Sequence, residues 1–189
     1  NSKAFMQGLT AAYVTTNGAI IDSANFNITI AQALANVTNG SGPGGLVKLG
    51  TGALTMTGAS TFSGPILVSG GSVVLTPSHH GTNAVTVADN ATFGTVEGSS
   101  ALTMVDLVLS NSTVQIQLTS GSAPSAAALN VGALDFNGTA TLRLAGLIPT
   151  GVAYPVIHYT SLAGMGGFNP TVVGPQGLVA TLSTNVAAQ

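Results

Sequence analysis

One segment constrains the fold of this chain more than any other: residues 45–76 read GLVKLGTGALTMTGASTFSGPILVSGGSVVLT. Apolar residues alternate with small polar ones in short pieces, and glycine-rich turns separate these pieces. Strands this short are not stable alone, because their backbone groups need hydrogen-bond partners and their apolar faces need a core. A coil that repeats along one axis and stacks each strand on the next satisfies both needs.

Four pieces of this segment carry a more specific pattern: GLVK at 45–48, GTGALTMTG at 50–58, STFSG at 60–64 and VSGGSVVL at 68–75. Together they resemble the autotransporter-associated β-strand repeat, also called the passenger-associated transport repeat. Phe62 stands where that repeat usually has Tyr, and Pro65 where it usually has Gly or Thr. The resemblance implies an all-β chain, folded as a right-handed parallel β-helix and exported to the surface of a Gram-negative-type cell. It implies no activity.

The composition excludes several classes of partner. The chain has 189 residues, of which 45% are hydrophobic and only 4% charged, with a net charge of −2. Nucleic acids and anionic membrane surfaces are bound by clustered Lys and Arg, and the three basic residues Lys3, Lys48 and Arg143 form no cluster. An almost uncharged surface gives little repulsion between copies, which favours self-association.

The chain has no cysteine, and no apolar run approaches the length that spans a bilayer. We therefore expect no membrane insertion of this segment. No signal peptide is visible either, so we expect a mature or excised piece of an exported protein. Disorder is not expected despite 25 glycines, because disordered chains combine low hydrophobicity with high charge.

The sequence predicts three regions. Residues 18–145 form the β-solenoid. Residues 1–17 form an N-terminal arm that adds as a strand or as a contact with another subunit, through the apolar side chains of Phe5, Met6, Leu9, Tyr13 and Val14. Residues 146–189 form an irregular C-terminal β cap, because this part holds four of the eight prolines and proline interrupts strand ladders.

Alternation of apolar and polar residues locates the strands inside the solenoid. They are predicted at 46–49, 53–57, 66–68, 73–76, 84–88, 92–96, 101–104, 106–109, 113–118, 128–131, 133–136 and 140–145. The side chains predicted to point inward are Leu54, Met56, Ile66, Val68, Val73, Leu75, Val85, Val87, Phe93, Leu107, Leu109, Val114, Ile116 and Leu118. A coil of about 20 residues gives roughly 7–8 coils and a rod of about 35–40 Å.

Few residues are available for catalysis. Asp89, Glu97 and Asp106 fall near one coil, where paired carboxylates could act as acid and base on a polysaccharide. The competing interpretation, which we favour, is that they are solvated turn residues. Asp135 and Arg143, eight residues apart, are predicted to form a surface pair.

No cofactor or metal site is predicted. His79 and His80 have no Cys, Asp or Glu close by in sequence to complete a metal shell, so they are interpreted as an exposed loop pair. His158 is predicted to point outward from a strand. Asn-x-Ser/Thr triplets begin at Asn27, Asn36, Asn39, Asn90, Asn111 and Asn137, and most are expected by chance in so polar a chain. The pairs Thr55/Thr57 and Thr139/Thr141 are too isolated for an ice-binding face.

The favoured function is that of a non-enzymatic, extracellular β-solenoid that stacks head to tail into a surface filament. The end coils of a solenoid expose unpaired backbone groups, and this chain has almost no charge with which to protect them. One alternative is a stalk or adhesin segment of a longer autotransporter passenger. Another is a polysaccharide-binding or polysaccharide-active β-helix protein. The expected partners are further copies of the chain or flanking passenger segments, with surface glycans as an additional possibility.

Overall fold

The computed structural model describes residues 3–37, 42–122, 126–148, 151, 153–169, 171–175 and 182–183. These residues contain seventeen β-strands and no helix. The first nine strands are β1 (Lys3–Met6), β2 (Tyr13–Val14), β3 (Ala19–Asp22), β4 (Ile28–Ile30), β5 (Ala35–Asn36), β6 (Leu46–Leu49), β7 (Ala53–Met56), β8 (Ile66–Val68) and β9 (Ser72–Leu75). The others are β10 (Ala84–Val87), β11 (Thr92–Val96), β12 (Leu102–Leu109), β13 (Thr113–Leu118), β14 (Leu129–Phe136), β15 (Thr139–Gly146), β16 (Ile157–Gly164) and β17 (Gly167–Phe168).

The strands build two long parallel sheets. The first sheet has the order β1-β4-β7-β9-β11-β13-β15-β17, and the second has the order β16-β14-β12-β10-β8-β6-β3. From β6 onward the chain visits the second sheet and the first sheet in turn, so each coil gives one strand to each sheet. A short third ladder pairs β2 with β5. The predicted parallel β-helix is confirmed.

Coil length follows from the register of the second sheet. Ile66 pairs with Leu46 in the preceding coil and with Val85 in the next one, so the central coils advance by 20 and 19 residues. Towards the C-terminus the coils become longer, because Leu129 pairs with Ile157, 28 residues ahead. The prediction of about 20 residues per coil therefore holds in the middle of the solenoid and is too short near its C-terminal end.

The core lies between the two sheets. All fourteen side chains predicted to point inward are buried, each at most 1% exposed. They form rows along the rod, because paired residues of neighbouring strands point to the same face. One such row in the first sheet contains Leu54, Val73, Phe93 and Val114.

Two of the predicted strand breaks are absent. Strands β12 and β14 are each continuous over eight residues, where the sequence predicted two short strands. In β12 the successive residues Val105 and Asp106 both lie outside the core, and in β14 Gly132 and Ala133 do the same. In both strands the alternation of inward and outward side chains therefore shifts by one residue, at the same position along the strand. In the sequence such a shift looks like a break between two strands.

The two terminal regions join the same ladders. Strand β1 pairs in parallel with β4, and β16 pairs in parallel with β14. An isolated parallel bridge joins Val173 to Arg143, on the same edge of β15 that also pairs with β17. The boundaries at residues 17 and 145 remain predictions. No helix in the described part of the chain is long and apolar enough to cross a membrane.

Candidate functional site

The three carboxylates considered for catalysis lie in different elements of the fold and make different contacts. Asp89 follows β10 in a turn, where its Oδ1 accepts a hydrogen bond from the backbone N of Asn111 at 3.1 Å. Asp106 lies within β12, paired with Ala84 and Ala133. Glu97 directly follows β11, a central strand of the first sheet. The prediction of solvated turn residues is wrong for Asp106, which is part of a strand, and for Glu97, which is half-buried.

Glu97 links successive coils. Its carboxylate accepts hydrogen bonds from the backbone N of Thr119 at 2.7 Å, from the backbone N of Ser120 at 2.9 Å and from the Ser120 hydroxyl at 2.7 Å. Burial acts to raise the pKa of Glu97, but the hydrogen bonds from Ser120 and Thr119 outweigh it and lower that pKa to about 2. Burial and the nearby Glu97 carboxylate raise the pKa of Tyr154. Glu97 therefore stays ionised and bound to the protein, which is unsuitable for acid–base catalysis.

Asp135 and Arg143 do not form the predicted surface pair. Asp135 lies on β14 in the second sheet, and Arg143 lies on β15 in the first. Each of the two residues lies between two buried neighbours on its own strand, so its side chain points away from the core. Because the two strands belong to different sheets, the two side chains lie on opposite faces of the solenoid. The prediction is wrong because the chain changes sheets between the two residues.

His79 is buried, contrary to the predicted exposed pair, whereas His80 is exposed. The His79 ring is only 4% exposed and packs edge-on against the Phe62 ring, with 5.1 Å between ring centroids. Its Nε2 is hydrogen-bonded to Asn83 Oδ1. The Nδ2 of Asn83 donates to the carbonyl oxygens of Phe62 at 3.1 Å and Gly64 at 2.7 Å. Since Asn83 thus presents its oxygen to the ring, His79 Nε2 carries the proton.

The remaining ring nitrogen, His79 Nδ1, is buried and has no hydrogen-bond partner among the described residues. Burial lowers the pKa of His79, although its hydrogen bond to Asn83 acts in the opposite direction. Neutral His79 is therefore a structural residue of the 77–83 loop. His158 is exposed on β16, as predicted.

Two shallow depressions lie beside this loop. One, of about 340 Å³, is lined by Pro77, His79, His80, Thr82, Ser100, Ala101 and Thr103. The other, of about 220 Å³, shares Ser100 and Ala101 with it and extends to Glu97. Their linings contain one carboxylate, already engaged by Thr119 and Ser120. In the part of the chain that the structure describes, no group of three His, Cys, Asp or Glu residues is placed to hold a metal ion.

Lys48 is a buried basic residue that sequence reasoning missed. Its side chain is 0% exposed, and its Nζ donates to the carbonyl oxygens of Leu49 at 2.6 Å, Gly50 at 2.9 Å and Gly70 at 3.4 Å. Burial lowers the pKa of Lys48, with the Asp22 carboxylate acting in the opposite direction. The spacing carried a usable signal, because Lys48 lies two residues after the inward-pointing Leu46.

Several asparagines of the Asn-x-Ser/Thr triplets also connect coils. Asn27 Oδ1 accepts a hydrogen bond from the backbone N of Ala53 at 2.9 Å, and Asn111 Oδ1 accepts one from Thr139 at 3.2 Å. Asn90 and Asn137 are exposed in equivalent turns before strands of the first sheet. These four triplets thus coincide with turns that precede threonines of the first sheet, a structural reason for their recurrence. Asn36 instead lies in β5, where its Nδ2 donates to the Ser63 hydroxyl at 3.0 Å. Asn39 lies outside the described residues.

The two ends of the solenoid differ from its middle in surface chemistry. Among the described residues, eleven large apolar side chains are exposed, and nine of them fall within 5–26 or 147–173. Among the predicted contact residues, Phe5, Leu9 and Tyr13 are exposed by 62%, 52% and 58%. Met6 is half-buried. Val14 is 3% exposed and packs in the core, so it is not available on the surface.

Leu162 shows why the C-terminal end is apolar. Through successive strand pairings it continues a row formed by Leu46, Ile66, Val85, Leu107 and Leu134, and those five side chains are at most 2% exposed. Leu162, the last member of the row, is 54% exposed. It is a core residue that no further coil covers within the described structure.

Comparison with known proteins adds one finding. Residues 46–75 match the family model described as the passenger-associated-transport-repeat. No curated protein and no solved structure matches the chain. The matched segment comprises β6 to β9, two consecutive coils that include the buried residues Lys48 and Phe62. The segment that is similar to the passenger-associated-transport-repeat therefore lies within the parallel β-helix.

Proposed function

We propose that this chain is a non-enzymatic structural β-solenoid of an exported passenger, and that copies of it associate end to end into a filament on the cell surface. The observation that carries the proposal is the row that ends at Leu162, buried along the rod and open at its tip. Association would cover this side chain and the other apolar residues of both ends. Burying apolar surface in this way stabilises the contact by about 25 cal/mol per Å².

The two ends are compatible in geometry. The second sheet ends in β3 on one side and β16 on the other, and the first sheet ends in β1 and β17. All ladders are parallel, so the C-terminal end of one copy can continue both sheets into the N-terminal end of another without reversing a strand. A contact of this kind joins different surfaces of two identical chains and does not close on itself, so it produces a filament.

Export to the cell surface is supported by the passenger-associated transport repeat at residues 46–75. The same match favours a second candidate, in which the solenoid is a stalk or adhesin segment of a longer passenger and neighbouring segments cover its ends. A non-enzymatic role is supported by the separation of the carboxylates and by the engagement of Glu97 with Thr119 and Ser120.

The test uses two leucines of the second sheet. Leu162→Glu places a charge at the end of a core row, whereas Leu67→Glu places one on the outer surface of a central coil, where Leu67 is 37% exposed. We expect the unmodified chain to form concentration-dependent polymers in size-exclusion chromatography with light scattering and rods in negative-stain microscopy. Leu162→Glu should stop assembly and Leu67→Glu should not, with circular dichroism confirming that both variants fold.

A stable monomer of the unmodified chain at high concentration would contradict end-to-end association and favour the stalk. Equal loss of assembly in both leucine variants would mean that the ends are not the contact.

A further inference from the structure

The further inference concerns how two copies meet, and it rests on the proposed function. Strands β3 and β16 each have a neighbour on one side only, so each leaves one edge of backbone N–H and C=O groups without a strand partner in the described structure. Such edges pair readily with another strand of suitable direction. We propose that the β16 edge of one copy pairs in parallel with the β3 edge of the next copy, with Leu162 opposite Ala19, Ala163 opposite Ile20 and Gly164 opposite Ile21.

The register follows from the three rows of the second sheet. Successive pairings connect Ala19 with Leu162, Ile20 with Ala163 and Ile21 with Gly164 as the first and last members of the same three rows. Repeating the existing register across the joint therefore brings these residues face to face. A slip by one residue would turn every side chain of β3 to the opposite face, placing Ile20 towards the core and Ile21 in solvent.

Side-chain size supports the same register independently. In each row a small residue at one end of the chain meets a large residue from the other end: Leu162 with Ala19, Ala163 with Ile20, and Gly164 with Ile21. Facing positions that combine large and small side chains fill space without overlap. A slip by two residues would set Leu162 against Ile21, but it would also bring Ala19, which points inward, opposite Thr160, which is exposed on β16.

The environment of Leu162 gives the reason for pairing here. Its five row neighbours are at most 2% exposed, and Leu162 itself is 54% exposed. Ala19 and Ile21, which point inward at the opposite end, are only half-buried. In the proposed joint these inward side chains cover one another. The exposed Ile20, at 71%, then lies beside Ala163 on the outer face.

Disulfide trapping tests the register directly, because the chain has no cysteine of its own. In paired strands the facing Cα atoms are about 4.8 Å apart, inside the range of about 4.4–6.8 Å that a disulfide bridges. The variant Ile20→Cys with Ala163→Cys should form a ladder of disulfide-linked multimers under mild oxidation, lost on reduction. The matched control, Asp22→Cys with Ala163→Cys, keeps both thiols on the outer face but moves one by two residues. Its Cα separation is then about 8 Å, too far for a bridge.

We expect the first pair to give at least ten times more covalent multimer than the control pair, and the single variant Ile20→Cys to give dimers at most. If rods are present in the microscope but the control pair links as well as or better than the first pair, the register is wrong and the end-to-end proposal stands. Rods without any cross-link of either pair would also overturn the register. If no polymers form under any condition, both proposals fail.

Discussion

The ammonium nitrogen of Lys48 donates a hydrogen bond to the carbonyl oxygen of Gly70 in the following coil, across 3.4 Å. The same nitrogen also binds the carbonyl oxygens of Leu49 and Gly50 in its own coil. One buried cation thus joins two levels of the matched repeat and satisfies carbonyl groups at a turn where the chain passes from one sheet to the other.

Replacing this lysine should destabilise the fold. Lys48→Met keeps most of the apolar stem but removes the Lys48 donor from the carbonyl groups of Gly50 and Gly70, whereas the Leu49 carbonyl still accepts from the backbone N of Ser23. We expect the free energy of unfolding to fall by about 1–3 kcal/mol. Urea denaturation followed by circular dichroism measures the change. Val47→Met, on the outward side of the same strand, is the control and should change the stability little. An unchanged or higher stability of Lys48→Met would show that burying the ammonium costs as much as its hydrogen bonds contribute.

The close approach of neighbouring coils should make certain glycines irreplaceable. A Cβ on Gly52 would lie 1.9 Å from the carbonyl oxygen of Phe26 in the preceding coil, whereas a Cβ on Gly121 would have nothing within 4 Å. We therefore expect Gly52→Ala to lower the free energy of unfolding by about 1–3 kcal/mol or more, because the coils must separate locally. Gly121→Ala should be nearly neutral. Equal stability of the two variants in the same denaturation assay would contradict this spacing.

Glu97 should give the fold a stability that acid removes. Its pKa is about 2 in the folded state and near the ordinary value of 4.5 in the unfolded chain, so its contribution is complete above pH 4.5 and is lost as the pH falls towards 2. Allowing for partial solvent screening, this contribution is on the order of 2 kcal/mol. Glu97→Gln should therefore be less stable than the unmodified chain at pH 7, and the difference should become much smaller at pH 2.5. A difference that does not change with pH would contradict the hydrogen-bonded carboxylate.

His79 should make the same fold sensitive to milder acid. Burial lowers its folded-state pKa, so below the ordinary value of 6.5 the unfolded chain binds a proton more readily than the folded one, and stability falls as the pH decreases from there. His79→Gln retains a donor for Asn83 and removes the titration. We expect the unmodified chain to lose several degrees of Tm between pH 7.5 and pH 5, and His79→Gln to lose clearly less. His80→Gln, at an exposed position, should behave like the unmodified chain.

The regular part of the fold was predictable from alternation alone. The pattern around Leu54, Val73 and Val114 repeats with one residue inward and one outward, and the turns between these strands contain glycine or asparagine. Period and turn chemistry therefore agree there, and the strands fall where they were predicted. The apparent gaps at Val105 and Gly132 were misinterpreted, because a shift of the alternation looks the same as an interruption in a single sequence.

The polar residues were predicted less well, since their roles depend on contacts between coils. His79 looks like an exposed loop residue until Phe62, which comes from the preceding coil, and Asn83, at the end of the same loop, are placed around it. Lys48 looks like a surface residue until the carbonyl of Gly70 comes into reach. The sequence contains the residues of such clusters but does not give the distances between them in space.

The widening of the second sheet has a consequence for how the molecule acquires its shape. Strands β8 and β10 have three and four residues, whereas β12, β14 and β16 have eight each. A longer strand forms more backbone hydrogen bonds for each loop that must be ordered. Each coil contacts only the coils directly before and after it. Folding should therefore nucleate in the part with long strands, β12 to β16. The coils with short strands then fold onto it one after another.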